Sequence, residues 1–293
     1  MDETGLIENI VFDSGKPGPS FLVLGAVHGD GTAGTKVLRE IIDELQDGRM
    51  TLKSGRLIAV PVVNRRAYDL GQRNAGESLN RICEHHAHPH SHEGKVANEL
   101  LSLIDQCDVL LDVHSCHPLD KPFVFIDHDT RQNRFLAAAT GLNYVCTGWN
   151  QLYERLGWSA PGPADYADSR GKTAAVLECG WHDDPAAVEV ARRCINNCLV
   201  RMGMIDGVSP SQGIHDLQNI KFEDMVIKDR EGTLTRAWKH MDPIHKNDVI
   251  AEYTDGGKVV APYDGYILFP FPDAVSKNEW FYLGREDHTL VVS

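Results

Sequence analysis

Hydrophobic and polar positions follow two different rhythms along this chain, and the change falls near residue 207. Before it, short continuous apolar runs of the kind expected for strands covered on both faces are followed by apolar residues at helical spacing. The run Phe21–Val27 (FLVLGAV) predicts one such strand. It leads through His28-Gly29-Asp30-Gly31 into a helix over about 32–47, with Val37, Leu38, Ile41, Ile42 and Leu45 on one face. Further strands are predicted over 6–13, 56–64, 108–114, 123–127, 141–148 and 173–180, and helices over 93–106, 129–141 and 185–204. Periodicity is lost over 67–92, which reads as a long irregular segment. The aromatic, Pro-rich stretch 149–168 reads as a surface loop or lid.

This alternation predicts an α/β fold with a mixed, mostly parallel sheet flanked by helices. From residue 214 onward the pattern becomes short strands separated by Gly, Asp and Pro, which predicts an all-β module. The expected organisation is an α/β catalytic domain over 1–206 and a C-terminal β-rich domain over 207–293, with GVSPSQG as linker. That module has some of the look of a biotinyl or lipoyl carrier barrel, but the lysine hairpin needed for cofactor attachment is missing. Its expected role is therefore structural, as pocket wall or as a contact in a homo-oligomer.

Composition narrows the partners. The chain has 293 residues and a net charge of −13, so neither a nucleic-acid backbone nor an anionic membrane surface is an expected partner. No apolar run approaches the roughly 20 residues that span a bilayer, and the N-terminus has no basic and apolar leader pattern. The 7 cysteines are scattered and form no CxxC pair, which predicts reduced thiols and a cytoplasmic location.

Several predicted strands end on polar residues, and in open α/β sheets ligands bind beyond the carboxyl ends of strands. His28 follows one strand, and His114 closes another (LLDVH). Asp112 shares a strand face with His114, so its carboxylate is positioned to orient that imidazole. Glu178 ends the apolar run AAVLE, where a carboxylate must be paired or have a raised pKa, as a general base working near neutral pH requires. Arg73, Asn80 and Arg81 lie in the irregular segment, and an arginine fork there can bind a carboxylate or polarise a carbonyl. The histidines at 85, 86, 88, 90 and 92 form a biased tract of the kind that can bind metals or can simply be solvated.

Four motifs occur in order: VHGD at 27–30, RNAGESLNR at 73–81, DVHS at 112–115 and LECG at 177–180. Together they make the chain resemble the succinylglutamate desuccinylase/aspartoacylase family, within the zinc carboxypeptidase-like fold. The resemblance implies hydrolysis of the amide of an N-acyl amino acid, with a small anionic substrate and Zn2+ as cofactor. It implies His28 and His114 as zinc ligands, Glu178 as the residue that activates water, Arg73 as polariser of the carbonyl, and Asn80 and Arg81 as holders of the substrate carboxylate. One position departs from the family pattern. Where the family has a glutamate as third zinc ligand, this chain has Gly31. Asp30, Cys116, His117 and the 85–92 tract are the candidate replacements. The same glycine motivates a rival reading, a non-catalytic small-carboxylate binder with a degraded metal site. A carboxypeptidase acting on peptides is a third reading, disfavoured because the β-module suits a cap that narrows the pocket.

Overall fold

The computed structural model describes residues 5–116, 119–158 and 161–288. The chain opens with β1 (Ile10–Asp13), β2 (Ser20–Gly25), α1 (Ala33–Gln46) and β3 (Arg56–Val60). A short α2 (Arg65–Asp69) enters the irregular segment, and α3 (His92–Asp105) leads to β4 (Val109–Cys116). Next come β5 (Phe123–Phe125), α4 (Arg131–Ala139), β6 (Tyr144–Thr147), α5 (Trp149–Arg155), α6 (Pro163–Ser169), β7 (Thr173–Trp181) and α7 (Pro185–Arg201). Seven strands finish the described chain: β8 (Gln218–Ile227), β9 (Gly232–Leu234), β10 (Asp242–Ile244), β11 (Val249–Tyr253), β12 (Lys258–Val260), β13 (Gly265–Leu268) and β14 (Glu279–Glu286).

Three of the helices start where a side chain satisfies a free N–H group. Ser91 accepts from Gly94 N at α3, Thr130 from Asn133 N at α4, and Asp184 from Ala186 N at α7, which also has Pro185 in its first turn. Burial against the sheet then fixes them. In β2, Phe21 and Val23 face a core shared with α1, α4 and α7, while Leu22 and Leu24 face the opposite core with α3 and α6. Both faces of the strand are covered, which explains its unbroken apolar run.

The principal sheet has the order β1-β3-β2-β4-β7-β5-β6-β8-β14-β13-β10. Its centre, β3-β2-β4-β7, is parallel. The fold class predicted from the alternation is the one observed. The later strands are not confined to a sheet of their own: β8 pairs in parallel with β6, and β14, β13 and β10 continue outward from it. Among the described residues, only β12, β11 and β9 form a separate three-stranded sheet.

One expectation is corrected. The stretch 149–168, read as a loop, contains α5 and α6. Each is only 7 residues long, too short to show a sustained period. Burial of Leu152 and Tyr153 holds the first, and Asp165, accepting from Gly162 N at 2.6 Å, holds the start of the second. No helix among the described residues is long and apolar enough to cross a membrane.

Candidate active site

The backbone that delivers His28 is bent sharply and held in place. Ala26 adopts φ 46°, a left-handed conformation unusual for a residue with a side chain. Its carbonyl accepts from Asn64 N, and Gly25's from Val63 N, both at 3.0 Å, so the strained turn is pinned to the end of β3. Gly29 then passes so close to α2 that a Cβ there would lie 2.2 Å from the Ala67 carbonyl carbon. Only glycine fits this crossing. Gly29 N donates to the Arg73 carbonyl at 3.1 Å, tying the histidine turn to the segment that carries both arginines.

His28 and His114 meet with ring centroids 5.3 Å apart and planes at 84°. Each has one ring nitrogen facing an oxygen. His28 Nδ1 lies 3.4 Å from Asn74 Oδ1, and His114 Nε2 lies 2.9 Å from Asp112 Oδ2. With a proton on each of those nitrogens, the other nitrogen keeps a free lone pair. Burial, then the positive charge of Arg73, holds His28 well below its ordinary value, so its imidazole is neutral at pH 7. Burial also works against the His114 cation, but Asp112 and Glu178 outweigh it and the net shift is upward.

Glu178 is the register partner of His114 across the parallel pair β4–β7. Burial raises its pKa, opposed by His114 and Arg73. Cys116 hydrogen-bonds the Glu178 carboxylate, and burial followed by that negative charge pushes its thiol well above the ordinary range. Among the described residues, His28 Nε2, Asp30 Oδ1, Asn80 Oδ1 and Glu178 Oε2 are buried without a hydrogen-bond partner. Orphaned polar atoms converging on one cleft are costly unless a ligand satisfies them.

A cavity of about 280 Å³ joins these groups. His28, His114, Glu178, Arg73, Asn80 and Arg81 all line it, so all six residues singled out in the sequence are brought together. Arg81 is not simply extended into the cavity. It donates to the Asn80 carbonyl at 2.8 Å, and its guanidinium lies 5.2 Å from the Tyr153 ring centre and 6.0 Å from that of Trp149. Sequence reasoning missed Asp127, Trp149, Asp165, Phe269, Phe271, Glu279 and Tyr282 as wall residues. Asp127 ends the apolar run Phe123–Ile126 just beyond β5, so the strand-tip rule that found His114 would have found it too. Glu279 and Tyr282 come from β14, far away in sequence, and carry no local signal. Burial and the neighbouring Asp165 push the Asp127 carboxyl up to about 8.

The donor set fits two positions of a zinc site and no more. Two lone-pair imidazoles suit Zn2+, whose catalytic sites usually have three protein ligands. Among the described residues no group of three His, Cys, Asp or Glu side chains is arranged to hold a metal. Asp30 and Cys116 line the cavity without completing such a group. The histidines of the 85–92 tract are absent from its wall, and His86 is occupied with the Ile82 carbonyl at 2.9 Å. His117 lies outside the described residues. Gly31 itself stands against the backbone of Ser115, where a Cβ would come within 3.2 Å of the carbonyl oxygen.

Fold and site together define an α/β protein with two histidines and a glutamate at the carboxyl edge of the parallel centre of a mixed sheet. Residues 17–154 match the succinylglutamate desuccinylase/aspartoacylase catalytic domain. Family and fold indicate a hydrolase of the acylase/desuccinylase type.

Three solved structures illustrate the likeness. A succinylglutamate desuccinylase/aspartoacylase from Rhodobacter sphaeroides is 18% identical with TM-score 0.78, over 97% of this chain and 90% of that one. The product-bound ectoine utilization protein EutE (DoeB) from Ruegeria pomeroyi is 22% identical with TM-score 0.77, over 95% and 88%. An aspartoacylase family protein from Mesorhizobium loti is 18% identical with TM-score 0.73, over 97% and 90%. At such identities the likeness is one of fold. No curated protein matches the chain.

Proposed function

We propose that the protein hydrolyses the amide bond of an N-acyl amino acid, with zinc held by His28 and His114. The observation that carries this is the register pairing of His114 with Glu178 beside the His28 ring, in a cavity with unsatisfied buried acceptors. A zinc ion at the imidazole pair would supply Lewis acidity to the acyl carbonyl and to a water molecule. Glu178, held at a raised pKa, takes a proton from that water as its oxygen bonds to the acyl carbon. The same carboxyl then protonates the amine as the C–N bond breaks, releasing a carboxylic acid and an amino acid. Arg73, at the cavity wall, faces the negative charge that develops on the acyl oxygen. Asn80 and Arg81 hold the substrate carboxylate, and the aromatic rings stacked on Arg81 limit its freedom before binding. Each of the seven cysteines is a free thiol, which supports a reducing, cytoplasmic setting.

Gly31 favours a second reading, in which the carboxylate pocket persists without turnover. The deciding experiment is purification from zinc-supplemented medium, metal analysis, and assay of N-acyl amino acids with and without chelator. Turnover that chelator abolishes and zinc restores supports the hydrolase. Binding of acyl amino acids that is indifferent to chelator, with no turnover at any zinc concentration, supports the binder.

A further inference from the structure

The site cavity opens beside a larger one of about 810 Å³, and the two share Phe269, Phe271 and Glu279 as common wall. The larger cavity is predominantly apolar, with Trp158, Trp181, Ile227 and Val275 on its wall and polar groups only at Asp273, Lys277, Asn278 and Glu279. Trp158, Trp181 and Val275 are 46%, 40% and 63% exposed, an unusual display of large apolar side chains at the mouth of a polar site.

This exposure does not come from a loose loop. The segment between β13 and β14 is tied down by Lys228 N donating to the Asn278 carbonyl at 2.9 Å and by Lys228 Nζ donating to the Ala274 carbonyl at 2.8 Å. Phe271 N donates to the Trp280 carbonyl at 2.8 Å. Phe269 itself is held at φ 44°, and its N–H donates to His240 Nδ1 at 3.1 Å. A left-handed conformation at a bulky aromatic residue is costly, and such strain concentrates at ligand sites. Here it sets the Phe269 ring on the boundary between the two cavities, nearly parallel to Phe271.

We infer that the larger cavity is the acyl subsite, and that the preferred substrate carries an uncharged, apolar acyl group of medium length or aromatic character. This rests on the amide-hydrolase reading. Arg73, Asn80 and Arg81 line the smaller cavity and are absent from the larger, so the carboxylate-bearing amine half belongs with them. The half on the other side of the amide then extends past Phe269 and Phe271. A site cavity of about 280 Å³ lies just below the common size range of small-molecule sites, whereas the larger space of about 810 Å³ falls within it.

Two measurements test this. In the first, kcat/KM is compared for N-octanoyl-glutamate and N-acetyl-glutamate. The octanoyl compound is expected to be preferred by at least tenfold, the low end for a single methylene in an apolar pocket. Trp181→Ala and Val275→Asp, both at exposed positions outside the smaller cavity, should each remove most of that preference and leave acetyl turnover unchanged. In the second, calorimetric titration with octanoate and butyrate needs no turnover. Octanoate should bind at least tenfold more tightly, and V275D should abolish the difference. If neither acyl-glutamate is cleaved while octanoate binding behaves in this way, the hydrolytic reading fails and the apolar subsite stands. Equal affinity for the two fatty acids, or a preference untouched by both variants, overturns the subsite. So does a dimer in sedimentation that W181A dissociates, which would assign the apolar wall to a second copy of the chain.

Discussion

His114 and Glu178 stand opposite one another on neighbouring parallel strands, and each shifts the other's ionisation in the direction that favours charge. Replacing the carboxylate with its amide keeps the shape and removes the base. Glu178→Gln should lower kcat by about 10²–10⁴-fold, the range for loss of a positioned general base, with little change in KM. Steady-state kinetics beside a thermal melt would check this, and unaltered kcat would exclude Glu178 as the base.

In the proposed zinc site, Gly31 leaves one position without a protein donor. Its backbone is free of the left-handed conformation that would forbid a side chain, although a Cβ would press on Ser115 O at 3.2 Å. Gly31→Glu should therefore fold with a modest loss of stability and bind zinc at least 10–100-fold more tightly, since even an outer partner of a metal ligand has that effect. Competition against a chromophoric chelator measures it. Removing the metal from the unmodified protein with a chelator should abolish turnover.

Gly29 permits the crossing beneath the turn that carries His28. A methyl group at this position would collide with the backbone of Ala67 and Tyr68, which cannot move without shifting α2. Gly29→Ala should cost about 1–3 kcal/mol of stability, as overpacking does. It should also displace His28, so activity should fall more than stability alone accounts for. Denaturant midpoints and kcat together would separate the two effects.

Asp127 gives stability a pH dependence. In the unfolded chain it ionises near the ordinary value of 3.8, and in the fold at about 8. Between these limits the folded state keeps a proton that the unfolded chain has lost. Its contribution is thus full below about pH 4 and falls away as pH rises through 8. Asp127→Asn should flatten the melting temperature across that interval and raise it most at the alkaline end. Parallel slopes for the two proteins between pH 5 and 8 would contradict the assignment.

What was legible in the sequence follows the range of the interactions. The alternation of apolar runs revealed the parallel centre, because strands buried on both faces leave a local mark. His28, His114 and Glu178 were legible for the same reason, as each interrupts or ends such a run. The stacking of Arg81 on Tyr153 and Trp149 was not, since it joins an irregular segment to a helix too short to announce itself. The contribution of β14 was equally hidden. Glu279 accepts a hydrogen bond from Tyr153 at 2.8 Å across 126 positions, and nothing near either residue signals the partner.

The pairing of β8 with β6 has a consequence for anyone trimming this protein. A chain cut just after α7 would expose the whole hydrogen-bonding rim of β6, an invitation to adhesion between molecules. It would also strip away Glu279 and Tyr282, turning a walled chamber into an open shelf. The tail is stitched into the same fabric as His28, His114 and Glu178, and the two should melt together in one transition.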